Sequence, residues 1–192
     1  MATRNQLNPP PLRKITDFKS KLSGGGARSN LFECELAFPP AVNVEGLNDI
    51  LNKARFLVKA ANLPASNVAP IEVPFRGRVL KIAGDRTFDT WTITIINDTD
   101  FAIRNSMERW MNGINAHSAN TGFSNVASYE ADLRVEQLDR SGESIKEYLF
   151  RGAFPTDLSP IDVSYASTDE IERFTTTFTY QYFESANPVT TS

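Results

Sequence analysis

The chain has 192 residues, 41% of them apolar and 22% charged, with a formal net charge of −3. This length suits one domain, or one domain with an extended arm, and the apolar content suffices for a core without staples. A single cysteine, Cys34, excludes a disulfide framework and a structural zinc site, and no apolar run approaches the ~20 residues of a membrane span.

The N-terminus lacks the apolar stretch of a secretory signal, so a soluble protein kept in a reducing cytoplasm, or released from one, is expected, with no membrane insertion. Residues 1–28 hold Arg4, Arg13, Lys14, Lys19, Lys21 and Arg28 against Asp17 alone, a net of +5. The chain total of −3 then leaves −8 on the remainder. "NPPP" at 8–11 bars helix and sheet interiors, and the triple glycine at 24–26 is a hinge. The spacing predicts a basic arm over 1–28 with little regular structure: a solvated tail, or an arm that docks on an acidic surface such as that of an identical neighbour. The glycines form no phosphate loop, because no Lys-Ser/Thr follows them.

"NLFECELAF" (30–38) puts Phe32, Cys34, Leu36 and Phe38 on one face and Glu33 and Glu35 on the other, as in a half-buried strand. Cys34 is thus a small core residue. In "PPAVNVEGLNDILNKA" (39–54), Leu47, Ile50, Leu51 and Ala54 have helical spacing and predict a short helix. "RFLVKAANLP" (55–64) and "IEVPFRGRVLKIAG" (71–84) read as strands, with Pro70 and Pro74 marking edges or bulges. "TFDTWTITIIND" (87–98) sets Trp91, Ile93 and Ile95 against Thr92 and Thr94.

A helix capped by Asp98, Thr99 or Asp100 follows, with the apolar stripe Ile103, Met107, Trp110, Met111 and Ile114 and an end at or just after Gly113. The polar loop 116–125 leads to strands 129–139 and 145–154 around the hairpin signal "RSG". "PTDLSPIDVSY" (155–165) reads as a turn and a further strand, and "EIERFTTTFTYQYF" (170–183) as a last one. The last strand sets Phe174, Thr176, Phe178, Tyr180 and Tyr182 against Arg173, Thr175, Thr177 and Thr179. Together these elements predict a mainly β fold, an antiparallel barrel or sandwich with one flanking α-helix.

Chemistry finds few partners. The only histidine, His117, lies in a polar loop away from Asp85 and Arg86, and no Gly-x-Ser-x-Gly elbow accompanies Ser118. Asp85 and Asp89 are four residues apart but match no metal-binding loop. "FRGR" (75–78) interleaves an aromatic with basic residues, yet reads more simply as a turn or bulge with solvated flanks than as a nucleic-acid contact. No catalytic residue, metal or cofactor is expected.

"IAGDRTFDTWTITIIND" (82–98) resembles the tail tube proteins of contractile-tailed, T-even-like myovirus bacteriophages. The positions that carry the likeness are Ala83, Gly84, Asp85, Arg86, Thr87, Phe88, Trp91, Thr92, Thr94, Asn97 and Asp98. It continues through the helix bearing Trp110, the Pro155-Thr156 turn and the Thr-rich last strand, over roughly residues 29–184. The N-terminal arm and the 39–54 insertion depart from the simplest members.

The resemblance implies a tube-type β domain over 29–184, followed by a short tail over 185–192. It implies hexameric rings that stack into a tube inside a contractile sheath, in the virion tail, after assembly in the host cytoplasm. Sheath, baseplate and tail-terminator proteins are the implied partners, and double-stranded DNA passes through without specific binding. On this reading Gly84 permits a corner, and Asp85 and Arg86 fix it or reach a neighbouring subunit. Alternatives are a baseplate or terminator protein, a tube from a non-viral injection machine, and a small-ligand β-barrel. The Thr faces at Thr92 and Thr94, or at Thr175, Thr177 and Thr179, are candidate lumen or solvent surfaces, with an acidic or polar lumen expected.

Overall fold

The computed structural model describes residues 14–186. Residues 1–13 of the predicted arm and 187–192 of the predicted tail lie outside it. Contrary to the expectation of little structure, the arm contains a short helix, α1 (Ile15–Lys21). The Asp17 carboxylate accepts the Lys14 backbone N–H at 3.0 Å, and Lys19 and Lys21 lie in the last turn, where they suit the helix dipole. None of its residues is buried.

Then come β1 (Phe32–Glu35), α2 (Leu47–Leu57), β2 (Val58–Ala61), β3 (Ser66–Phe75), β4 (Arg78–Phe88), β5 (Trp91–Ile96), α3 (Ala102–Ile114), β6 (Ala131–Leu138), β7 (Ser144–Leu158), β8 (Arg173–Thr179) and β9 (Tyr182–Ala186). The fold is mainly β and antiparallel, as expected, although α1 and α2 join the single flanking helix. α2 runs through Arg55–Leu57, read above as strand, because Ile50, Ala54 and Val58 carry one buried stripe straight into β2.

Seven strands form two half-sheets that share β7. In one, β1, β6, β7 and β9 are neighbours; in the other, β2, β5, β8 and β7. β7 changes partner at Gly152. Residues 147–151 pair with β9, and 154–158 with β8. Gly152 has φ +60°, and a Cβ there would lie 2.9 Å from Gln181 Cγ, so glycine is needed at the bend. The predicted last strand is thus β8 plus β9, lying along one edge of β7 and broken at Tyr180–Gln181. That break shifts the alternation, so Phe183 rather than Tyr182 packs on the core.

The predicted turn at Pro155-Thr156 is instead strand: β7 passes through it with a bulge between Pro155 and Asp157. Nor does the expected strand within 155–165 form beyond Leu158, where β7 ends and a loop runs to Arg173.

The core lies between the half-sheets and under α3. Trp91 stacks on Phe150 at 4.4 Å between centroids, and Phe178 lies 5.7 Å from Trp91 and 6.1 Å from Trp110. Each indole N–H is satisfied: Trp91 donates to the Asn62 carbonyl at 2.8 Å and Trp110 to the Tyr129 carbonyl at 2.7 Å. The predicted stripe of α3 is confirmed at Ile103, Met107 and Trp110, all buried, and the helix ends just after Gly113. Its start is supported by the Asp100 carboxylate, which accepts the Ala102 N–H at 3.0 Å. Lys53 of α2 bonds Asp98 and Asp100, and this holds the Asp100 carboxyl below its ordinary value. Cys34 is buried, and burial pushes its thiol up to about 12, so it is core rather than nucleophile.

Candidate functional site

Among the described strands β3 and β4 pair only with each other and stand away from the two half-sheets. At ~3.3 Å per residue the ribbon reaches about 33 Å. Ile71 faces Ile82, and Val73 faces Leu80, so these four share one face with Phe75. All five are between 41% and 67% exposed. A two-stranded ribbon with a bare apolar face is marginal in water and implies a covering partner.

The tip is a two-residue turn in which Arg76 has φ +44° and Gly77 φ +81°, the geometry that favours Asn-Gly. An arginine in the left-handed region costs about 1 kcal/mol. Its guanidinium lies 5.3 Å from the Phe75 ring centroid.

The motif Ala83, Gly84, Asp85, Arg86, Thr87 and Phe88 forms the base of this ribbon, and Trp91 begins the next strand. Gly84 makes no corner. It sits inside β4 in a bulge where Gly84 and Asp85 together oppose Ala69, and a Cβ on it would lie 2.5 Å from the Ala69 carbonyl oxygen. Asp85 and Arg86 are strand neighbours and point to opposite faces, so they do not pair with each other. Both are exposed, and among the described residues neither side chain has a hydrogen-bond or ionic partner. Phe88 anchors the ribbon by packing 5.5 Å from Phe183 and 6.0 Å from Tyr180, centroid to centroid. Trp91 is buried.

The β2–β5–β8–β7 half-sheet has two edges without partners among the described strands. β2 pairs on one side with β5 alone, and residues 154–158 of β7 pair with β8 alone. The two stretches bound opposite sides of the same half-sheet and run antiparallel to each other. Across its outward face, Thr92 opposes Thr177 and Thr94 opposes Thr175, with Thr179 beyond. The Thr92 and Thr177 hydroxyls bond at 3.0 Å. Periodicity identified the two threonine faces separately; the β5–β8 register makes them one surface.

The ribbon and the loop after β7 leave this half-sheet at opposite ends. The ribbon departs beside Ala61 and Trp91; residues 159–172 span the end at Leu158, Ile96 and Arg173. Arg104 pins the loop's base by donating to the Ser159 carbonyl at 3.1 Å, and Asn97 donates to Glu172 at 2.8 Å.

His117 is exposed in its loop, where its backbone N–H donates to Asn112 Oδ1 at 3.1 Å. Among the described residues no group of three or more His, Cys, Asp or Glu side chains is placed to hold a metal ion. No helix there is long and apolar enough to cross a membrane. Sequence reasoning missed the ribbon as a surface, because Ile71, Val73, Leu80 and Ile82 alternate like core residues. The proline pair 70 and 74 was the available signal of an open edge.

Comparison with known proteins agrees with this arrangement. The chain is 31% identical over 163 residues to the tail tube protein gp19 of Enterobacteria phage T4, covering 84% of this chain and 93% of that protein. It is 29% identical over 169 residues to the tail tube protein of Serratia phage KSP90, covering 86% and 93%. The fold matches a chain of the anti-feeding prophage baseplate with a TM-score of 0.62 at 12% identity, over 86% of this chain and 98% of that one. It also matches a chain of the sheath–tube complex of an extracellular contractile injection system with a TM-score of 0.56 at 12% identity, over 88% and 97%. The phage tail tube protein family matches residues 27–186, and the chain belongs to that family, as a structural tail tube protein of a contractile phage tail.

Proposed function

We propose that six copies of this chain join edge to edge into a ring, and that stacked rings form the conduit through which double-stranded DNA leaves the virion. The observation that carries this reading is the pair of open, antiparallel edges on the β2–β5–β8–β7 half-sheet. A β2 edge of one copy laid against residues 154–158 of the next continues the antiparallel order around a closed ring and leaves neither of these two edges bare. The sixfold count is supported by the baseplate relative, which is described as 6-fold symmetrised.

Closure also selects the inner face. The second half-sheet and α3 lie on one side of the β2–β5–β8–β7 layer, so that bulk stays outside a narrow cylinder and the threonine face lines the lumen. This face carries Thr92, Thr94, Thr175, Thr177 and Thr179, with Lys59 at the β2 bulge and Asp157 and Arg173 among them, so it is polar and sparsely charged rather than acidic. A wall with so few cations releases few counterions and does not grip phosphate. Sheath, baseplate and terminator proteins bound the tube, which is assembled in the host cytoplasm and resides in the virion tail. The basic arm adds contacts between rings, so deleting residues 1–28 leaves folded subunits or rings but impairs tube growth.

Negative-stain microscopy of the purified chain tests the reading. Hollow tubes of fixed diameter are expected, with no gel shift of double-stranded DNA at physiological salt. Uniform monomers, or single rings that never stack, would overturn it.

A further inference from the structure

We infer that the α1 helix of one copy docks into the groove of the 159–172 loop on a second copy in the adjacent ring. The inference rests on the tube reading above and assigns the basic arm its receptor. It concerns a part of the chain that precedes residue 27, where the match to the tail tube family begins. Three observations carry it.

The first is that α1 has no cover of its own. It is seven residues long, and an isolated helix of that length is unstable in water. Ile15, Phe18 and Leu22 are spaced three and four apart, so they form one apolar stripe. They are nevertheless 68%, 60% and 43% exposed. Lys19 lies on one flank of that stripe, and Lys14 and Lys21 on the other. Among the described residues the Lys19 and Lys21 side chains have no hydrogen-bond or ionic partner.

The second is the chemistry of the groove. The loop encloses about 520 Å³ lined by Ile161, Asp162, Val163, Glu170, Ile171 and Glu172, among others. Residues 159–172 carry Asp162, Asp169, Glu170 and Glu172 with no basic residue, a net of −4. Residues 14–28 carry Lys14, Lys19, Lys21 and Arg28 against Asp17, a net of +3. Among the described residues Asp162, Asp169 and Glu170 form no ion pair within the chain. An apolar stripe bordered by lysines suits a lining that mixes apolar and acidic side chains. The outward face of the β1–β6–β7–β9 half-sheet is acidic as well, but its carboxylates are taken. Glu35, Glu136 and Glu147 pair with Arg134, and Asp132 and Glu184 with Arg151.

The third is position. The arm is rooted at the β6–β7 turn, where Gln137 Nε2 donates to the Arg28 carbonyl at 2.7 Å and the Leu138 N–H to the Leu31 carbonyl at 2.9 Å. The groove lies past the other end of β7, after Leu158. Root and groove thus sit at opposite ends of one strand, and head-to-tail stacking brings the root of one copy toward the groove of another. From Lys21 to Arg28, across the three glycines, the chain spans up to about 25 Å when extended.

The test is charge exchange in the full chain. Lys19→Glu/Lys21→Glu should leave folded rings, since neither side chain has a partner within the subunit among the described residues. It should raise the concentration threshold for stacking about tenfold or more. Asp162→Lys/Glu170→Lys in the loop should do the same, and the two pairs combined should return the threshold to within about threefold of wild type. A second measurement mixes Lys19→Cys copies with tagged Val163→Cys copies and adds a bismaleimide. Cys34 is buried and does not compete. A mixed cross-linked dimer in assembled tubes is expected. Wild-type thresholds in the arm variant, a combined variant worse than either alone, or no mixed dimer would overturn the docking while leaving the ring reading intact. Wild-type protein that forms no rings at all would sink both.

Discussion

β3–β4 and β5–β8 are two antiparallel pairs written in the same alternating code. In β5–β8, Trp91, Ile93 and Ile95 pair with Phe178, Thr176 and Phe174, and all six are buried beneath α3 and the other half-sheet. In β3–β4, Ile71, Val73, Leu80 and Ile82 line up as regularly and meet solvent. Alternation therefore says that a face is meant to be covered, and not by which chain. In the first pair the cover is intramolecular; in the second the described residues of the chain supply none.

The sharpest break of that comparison is Trp110→Ala. Trp110 lies under the covered pair, fully buried, 6.1 Å from Phe178 and 5.4 Å from Phe38. Its loss should cost the subunit about 3–5 kcal/mol, read from the denaturation midpoint. An unchanged midpoint would mean that α3 does not close the core.

A gain is expected from Thr176→Val on the same pair. The Thr176 hydroxyl is buried and, among the described residues, has no hydrogen-bond partner. Replacing it with a methyl group of the same shape should stabilise by about 1 kcal/mol in the same assay. Destabilisation instead would reveal a partner for that hydroxyl.

The uncovered pair should give almost nothing on the subunit. Leu80→Ser is expected to move isolated-subunit stability by no more than about 0.5 kcal/mol, since the side chain is already in water. It should nevertheless reduce assembly, measured by sedimentation. A large stability loss with normal assembly would invert the assignment of the two pairs.

Much of the covered half of the molecule was legible in the sequence. The stripe of α3, the inward set of β5 and the burial of Cys34 follow from period alone, because these faces meet a partner in the same chain. Boundaries were lost where periods overlap. Arg55–Leu57 suits a strand until Ile50, Ala54 and Val58 are seen to share one buried line. Pro155 reads as a turn, yet proline is tolerated on a strand beside a bulge and an open edge, which is what β7 supplies. The motif around Gly84 was recognisable by resemblance, but its reason was not. The glycine serves the close approach of the Ala69 carbonyl across a ribbon, and no local signal encodes that cross-strand bulge.

β7 has a mechanical consequence. It is one continuous strand of fifteen residues that belongs to both half-sheets, hydrogen-bonded first to β6 and β9 and then to β8. In the proposed ring its last five residues belong to the inner wall and the rest to the outer layer. Axial load on the wall is then carried along a covalent backbone into the outer layer, rather than across a side-chain contact that could slide. The compliant point on that path is Gly152, where the strand bends. Stiffness in such a wall is set by a single peptide segment and the ladders that grip it on either side.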